Sequence, residues 1–281
     1  MPSPKKKTTK KKTAKRRQGT PQTDVHSLFS EDTINLSVYG RSGTGKTTFW
    51  STFPGPIRVF LFSGIANPGE LKSIALEDRH KVTPVVFDSI DEFSELLNTK
   101  EGYTTNVLDH ATGLQDVVLR DVLGINEIPV QMKWGTATQQ QWGEVAIKMK
   151  ELVRGFLNLP GNCVIVSQER TFNTDTESDL ITPTIGPAMS PSIAGWLNAS
   201  TDYIVQTYLE TTKEKRTNKV AGKEINTTVD TGEIEYRLRT KPHPVYTTKF
   251  RVPRGSTLPE YLVDPTYEDV LSVINGEYIA N

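Results

Sequence analysis

The sequence has few of the residues that build disulfides and metal sites. Cys163 is the only cysteine among 281 residues and the four histidines are scattered, which excludes an intrachain disulfide and a structural zinc site. No run of about 18 apolar residues occurs and no apolar stretch follows the basic N-terminus, so we predict neither a membrane span nor a secretory signal. A reducing, cytoplasmic location is therefore expected.

The basic residues are unevenly distributed along the chain. Nine of the 33 lysines and arginines lie within residues 1–17, where no acidic residue occurs, and the other 24 share the remaining chain with 33 acidic residues. Because like charges repel and bury no core, we predict a disordered basic tail over residues 1–22, followed by a single domain over residues 23–281. Such a tail binds nucleic acid through counterion release, but a solubilising tail or a nuclear localisation signal has the same composition.

The strongest motif follows a strand predicted at residues 34–39. It reads GRSGTGKTT and fits the pattern GxxxxGK[ST] of phosphate-binding loops. Its glycines let backbone N–H groups surround phosphate oxygens at the start of a helix. We expect ATP to bind here, with Lys46 reaching the β- and γ-phosphates and the hydroxyl of Thr47 reaching Mg²⁺. The residues assigned to nucleotide binding are Gly40, Arg41, Ser42, Gly43, Thr44, Gly45, Lys46, Thr47 and Thr48.

Two apolar runs after the motif, at residues 57–62 and 85–87, predict further strands of a parallel sheet. Asp88 follows the second run. A P-loop protein needs a second acidic group for Mg²⁺ at the carboxyl end of such a strand, so we assign this metal role to Asp88. The alternative is that Asp88 only caps the next helix.

The next predicted elements are a helix over about residues 139–158 and a buried strand over residues 163–167. Gln168 follows this strand. Ligands of open α/β sheets bind outside the carboxyl ends of the strands, so Gln168 is expected at the same edge as Lys46, where it would sense the γ-phosphate. The alternative is an ordinary surface glutamine.

Several segments together resemble a known family. The resemblance is to the phage-encoded RecA-like ATPases of the single-strand annealing recombinase type, an AAA-family group, and it covers about residues 32–275. It is carried by the phosphate loop, VVFDS at 85–89, the helix at 142–160, VIVSQER at 164–170, YRLRTK at 236–241, YTTKFR at 246–251 and DPTYEDVL at 264–271.

This resemblance implies both a fold and a function. The implied fold is α/β, a RecA-like P-loop NTPase core with a mostly parallel twisted sheet flanked by helices and a C-terminal antiparallel β extension. The implied function is ATP and Mg²⁺ binding, assembly as a homo-oligomer on single-stranded DNA, and annealing or strand pairing in phage-type recombination. The location would be a bacterial host cytoplasm, and a single-strand DNA-binding protein is a further expected partner.

One position departs from the family. Relatives end the second strand with an acidic segment whose glutamate activates the attacking water, whereas this chain has LFSG at residues 61–64. The next carboxylate, Glu70, lies beyond Pro68-Gly69 and is expected to be too distant. A missing base lowers hydrolysis by about 10²–10⁴-fold, so we expect weak ATPase activity, stimulated by DNA. Asp91 or Glu92 is the predicted substitute base, although both also fit the acidic first turn of a helix.

Three segments are predicted to form exposed loops or arms. Residues 98–138 and 171–195 are expected to be long loops on the DNA side, and residues 211–233 an exposed hairpin arm whose basic residues serve DNA binding or solvation.

Two other functions remain open. One is a nucleotide-gated binding module that does not hydrolyse ATP. The other is a P-loop kinase of a small substrate, although no cluster of catalytic arginines follows the helices.

Overall fold

The structure is a computed structural model, and it describes residues 33–64, 68–99, 102–125, 137–172, 184–220 and 223–279. The predicted basic tail lies outside these residues. The strands are β1 (Asn35–Gly40), β2 (Ile57–Phe62), β3 (Val82–Phe87), β4 (Thr105–Leu108), β5 (Asn162–Ser167), β6 (Glu169–Phe172), β7 (Thr184–Pro187), β8 (Tyr203–Val220), β9 (Lys223–Arg239) and β10 (Tyr261–Val263). The α-helices are α1 (Lys46–Ser51), α2 (Ile90–Asn98), α3 (Ala111–Leu123), α4 (Gln139–Leu157), α5 (Pro191–Ser200) and α6 (Tyr267–Asn275).

Eight of these strands form one sheet in the order β10-β9-β8-β1-β5-β4-β2-β3. The six strands from β8 to β3 are parallel, whereas β9 pairs antiparallel with both β8 and β10. Strands β6 and β7 form a separate antiparallel pair. The predicted fold class, a mostly parallel sheet flanked by helices with a C-terminal antiparallel extension, is confirmed.

The central strands are buried on both faces, as expected for a parallel sheet covered by helices. Along β5, Val164 and Val166 belong to the core that includes α1 and α6. The alternate residues Cys163 and Ile165 belong to the opposite core, to which α2, α3, α4 and α5 contribute. This alternation explains why β5 reads as a continuous apolar run.

Strand β4 and helix α3 lie inside residues 98–138, which were predicted to be a loop. β4 is buried and pairs with both β2 and β5. Only two of its four residues are apolar, so it gives no apolar run. Its polar side chains are paired internally: Arg58 Nε donates to Asn106 Oδ1 at 3.0 Å, and Asn162 Nδ2 donates to Thr105 Oγ1 at 3.4 Å.

Strand β3 lies at the edge of the sheet. Its apolar run suggests a buried strand, but the side chain of Val86 is 55% exposed. Because an edge strand such as β3 can also contain an apolar run, such a run does not by itself show that a strand lies in the centre of the sheet. At the other side of the sheet, β8 and β9 form a long hairpin, and the predicted arm at residues 211–233 is its outer part.

The turn between α4 and β5 requires glycine at position 161. Gly161 has a φ of 86°, and an added Cβ would overlap the carbonyl oxygen of Thr104. Gly161→Ala should therefore lower the free energy of unfolding by about 1–3 kcal/mol. Urea unfolding followed by circular dichroism measures the change.

The matched control is Gly143→Ala within α4, where an added Cβ meets nothing within 4 Å. Because alanine is the better helix former, this variant should gain about 0.5–1 kcal/mol. Unchanged stability of Gly161→Ala would contradict the described turn.

Candidate nucleotide-binding site

The phosphate loop connects β1 to α1, and two glycines determine its shape. Gly43 and Gly45 have φ angles of 80° and 86°, in the left-handed region that favours glycine. Gly45 is also the N-cap residue of α1. N–H groups in the first turn of a helix have no acceptor within the helix, so those after Gly45 are available to phosphate oxygens.

Strand β8 holds this loop in place. The hydroxyls of Thr44 and Thr207 share a hydrogen bond of 2.7 Å, and the Thr44 hydroxyl also donates to the carbonyl oxygen of Arg41 at 2.8 Å. An added Cβ at Gly40 would overlap Thr207. The first glycine of the motif therefore permits close packing of β8 against the loop.

Lys46 is buried beneath the loop, with 8% of its surface exposed. Its Nζ donates to the carbonyl oxygens of Gly40 and Arg41 at 2.8 and 2.7 Å. Burial lowers the pKa of Lys46, while the negative charges of Asp109 and Glu70 raise it. The ammonium group is thus positioned by the loop carbonyls and is stabilised by the negative charges of both carboxylates.

A cavity of about 380 Å³ lies over the loop. Its volume is within the range of small-molecule sites, about 300–1,000 Å³. Six of the nine predicted nucleotide-binding residues line it, whereas Gly40, Arg41 and Thr44 make the contacts that shape the loop. The lining residues include Ser42, Gly43, Gly45, Lys46, Thr47, Thr48, Glu70, Ser73, Asp109, Gln168 and Tyr236.

Asp109 lies directly after β4 and is 6% exposed. The order β1-β5-β4 brings the carboxyl end of β4 close to the loop that follows β1. Burial raises the pKa of Asp109 to about 6, with a further upward contribution from the charge of Glu70 and an opposing one from Lys46. The sequence alone does not indicate Asp109, because β4 gives no apolar run that would predict a strand before it.

Asp88, to which the sequence assigned the metal role, is not at this site. It follows β3, which is separated from β1 by β5, β4 and β2. Asp88 is exposed, and its backbone N–H donates to Glu92 Oε2 at 2.8 Å. The strand order therefore places Asp88 away from the phosphate loop, and the aspartate after a parallel strand that lines the cavity is Asp109.

Asp91 and Glu92 are likewise absent from the residues that line the cavity. They lie in the first turn of α2, where the N–H of Glu92 donates to Ser89 Oγ at 3.1 Å. The geometry thus favours the alternative that the sequence left open for them, the acidic first turn of a helix whose N-cap is Ser89.

Glu70 does line the cavity, so the expectation that it is too distant is wrong. It lies in a 3₁₀ helix, Pro68–Ser73, that follows β2 along the chain. Its charge raises the pKa values of both Lys46 and Asp109, which places its carboxylate in the electrostatic environment of both side chains. The sequence contains no local pattern which predicts that this 3₁₀ helix lies beside the phosphate loop.

Gln168 lies in the cavity wall, at the predicted sheet edge. Its backbone N–H donates to Thr112 Oγ1 at 3.1 Å, so α3 fixes its position. The next residue, Glu169, turns away and pairs with Arg41 Nε at 3.3 Å. The Arg41 side chain therefore contacts β6 and does not line the cavity, unlike the other charged residue of the motif, Lys46.

The residues of the cavity fit Mg²⁺ bound together with phosphate. Within the described ranges, no cluster of three or more His, Cys, Asp or Glu residues is arranged to hold a metal by itself. Mg²⁺ is commonly held by one or two protein oxygens, with substrate phosphates and waters as the other ligands. Thr47 and Asp109 supply a hydroxyl and a carboxylate in the same cavity.

A sequence profile described as an AAA domain matches residues 32–252. The chain belongs to the AAA domain family. It therefore contains an ATP-binding P-loop domain of AAA type, and β10 and α6 lie beyond the matched residues. No curated protein matches the chain. None of the described helices has the length and apolar character needed to cross a membrane.

Among solved structures, the chain is similar to an ATPase from the type III secretion system of pathogenic bacteria. The two are 14% identical, with a TM-score of 0.37, and the match covers 62% of this chain and 50% of that chain. The similarity thus spans about half the length of the secretion ATPase.

Proposed function

We propose that this AAA domain protein is a Mg²⁺-dependent ATPase. The observation that carries the proposal is the convergence of Lys46, Asp109 and Glu70 on the cavity above the phosphate loop. A binding module that does not hydrolyse ATP would have no need of Glu70. The sequence leads us to expect weak hydrolysis because the usual base is missing, and we propose Glu70, which lines the cavity, for that role.

Each residue would have a distinct role in hydrolysis. Lys46 and the N–H groups after Gly45 would bind the β- and γ-phosphates. Thr47 and Asp109 would hold Mg²⁺, which when bound neutralises charge on the phosphate oxygens. Gln168 would contact the γ-phosphate.

Glu70 would accept a proton from the attacking water as the water oxygen bonds to the γ-phosphorus. The bond between the γ-phosphorus and the oxygen that bridges it to the β-phosphorus breaks in the same reaction. The products are ADP and inorganic phosphate.

A kinase reaction would replace this water by an acceptor hydroxyl, so phosphorylation of an added small substrate would indicate the alternative function.

Glu70→Gln tests the assigned base. Because the amide cannot accept the proton, ATP turnover should fall by about 10²–10⁴-fold while ATP affinity changes little. Phosphate release measures turnover, and calorimetry measures ATP binding. The matched control is Glu92→Gln on α2, which should keep wild-type turnover. Full activity of Glu70→Gln, or loss of activity in Glu92→Gln, would refute the assignment.

We further propose that the ATPase acts on single-stranded DNA as a homo-oligomer, in annealing or strand pairing of the phage recombination type, with a single-strand DNA-binding protein as a further partner. Support comes from the family resemblance in the sequence and from the distribution of basic residues. Nine of these lie in residues 1–17, and five more lie on the β8–β9 hairpin at Lys213, Lys215, Arg216, Lys219 and Lys223.

ATP turnover measured with and without single-stranded DNA tests this second proposal. Stimulation is expected with single strands, and it should weaken as salt rises because phosphate contacts release counterions. Replacing the five basic residues of the hairpin with glutamine should make binding less sensitive to salt. The slope of log affinity against log salt concentration should become shallower by up to about 0.7 for each DNA phosphate that the hairpin no longer neutralises. Replacing Lys148 and Lys150 of α4 is the control. No stimulation at low salt would contradict the DNA role.

A further inference from the structure

A second cavity, of about 240 Å³, adjoins the cavity over the phosphate loop. The two cavities share Gly45, Thr48 and Tyr236 as lining residues. The second cavity is lined by residues of α1 and by the segment Asp264–Thr266. A ligand with phosphates over the loop can therefore extend directly into it.

Tyr236 of β9 lines both cavities. A Cβ placed on Gly45 would lie 3.1 Å from Tyr236 Cδ1, so the ring lies against the loop backbone. The Tyr236 side chain is nevertheless 45% exposed. Together with Phe49 and Pro265, it forms the aromatic and apolar part of the second cavity, whose lining also includes Arg237 and five threonines. The apolar part suits a flat, uncharged group.

Asp264 adds a carboxylate to this lining and has an unusual backbone. Among the described residues it is the only one other than glycine with a positive φ, 43°. Its N–H donates to the carbonyl oxygen of Tyr236 at 2.8 Å, which links it to the aromatic wall. Sparsely populated backbone conformations of this kind concentrate at ligand sites. Asp264 also lies outside the residues that match the AAA domain.

We propose that the second cavity binds the nucleoside of the bound nucleotide, with the base against Tyr236 and a nucleoside donor group on Asp264. The assignment rests on the proposed ATPase function, because phosphates over the loop define where the nucleoside begins. A nucleobase has the flat, uncharged shape that the lining suits. Its amino group and the ribose hydroxyls are the donors that the carboxylate of Asp264 accepts.

Calorimetric binding of ATP and of inorganic tripolyphosphate, both with Mg²⁺, tests the assignment. Tyr236→Ala should weaken ATP binding by about 5- to 100-fold, the loss expected for one base–aromatic stack, and leave tripolyphosphate binding unchanged. Tyr236→Phe should bind ATP like the wild type. The matched control is Ile234→Ala, an exposed position two residues away on β9 that lines neither cavity. Lys46→Ala should weaken the binding of both ligands.

Asp264→Asn tests the carboxylate and retains a residue type that tolerates a positive φ. ATP binding should weaken about fivefold, because the amide oxygen of asparagine still accepts the hydrogen bond but without the help of the negative charge. The loss should vanish with 2′-deoxy-ATP if the donor is the ribose hydroxyl, and with purine riboside triphosphate if it is the base amino group.

The outcomes separate this assignment from the ATPase proposal. Wild-type ATP affinity in Tyr236→Ala, with affinity lost in Lys46→Ala, would overturn the nucleoside site and leave the ATPase proposal in place. Equal losses of ATP and tripolyphosphate in Tyr236→Ala would also overturn it, because the ring would then act only on the loop. Failure of the wild type to bind either ligand would overturn both proposals.

Discussion

Three parallel strands, β1, β5 and β4, lie side by side in the centre of the sheet, and a polar segment follows the carboxyl end of each. The phosphate loop follows β1, Gln168 follows β5 and Asp109 follows β4. Because parallel strands end at one edge, their order alone brings these three groups into a single cavity. Most of the site therefore depends on which strands are neighbours, and a different order would separate the same residues.

The charges in the cavity complement the ligand that the loop is suited to hold. Lys46 and Asp109 are both nearly buried, and burial acts against the charged form of each. The loop carbonyls compensate the lysine, whereas Asp109 also experiences the like charge of Glu70. A divalent cation between phosphate and carboxylates would relieve that repulsion. Asp109 and Glu70 thus line one cavity with Lys46, and the carboxylates there are the kind of ligand that Mg²⁺ takes together with phosphate oxygens.

The parts of this site that the sequence predicts are those that depend on a local pattern of residues. The phosphate loop is a local pattern, and the apolar runs of β1, β2 and β5 are strong enough to indicate a parallel sheet. Strand order is non-local. The apolar run before Asp88 belongs to an edge strand, while β4, which positions Asp109, is half polar because Thr105 and Asn106 are paired inside the protein. Glu70 reaches the cavity on a 3₁₀ turn that no periodicity indicates.

The central claim is that Asp109, and not Asp88, is the carboxylate that holds the metal beside the phosphate loop. Electron paramagnetic resonance of Mn²⁺, used in place of Mg²⁺ and titrated in the presence of ATP, tests it most directly. The nucleotide-dependent bound Mn²⁺ signal should be lost in Asp109→Asn and kept in Asp88→Asn. A signal that persists in Asp109→Asn and disappears in Asp88→Asn would contradict the strand order on which the site depends.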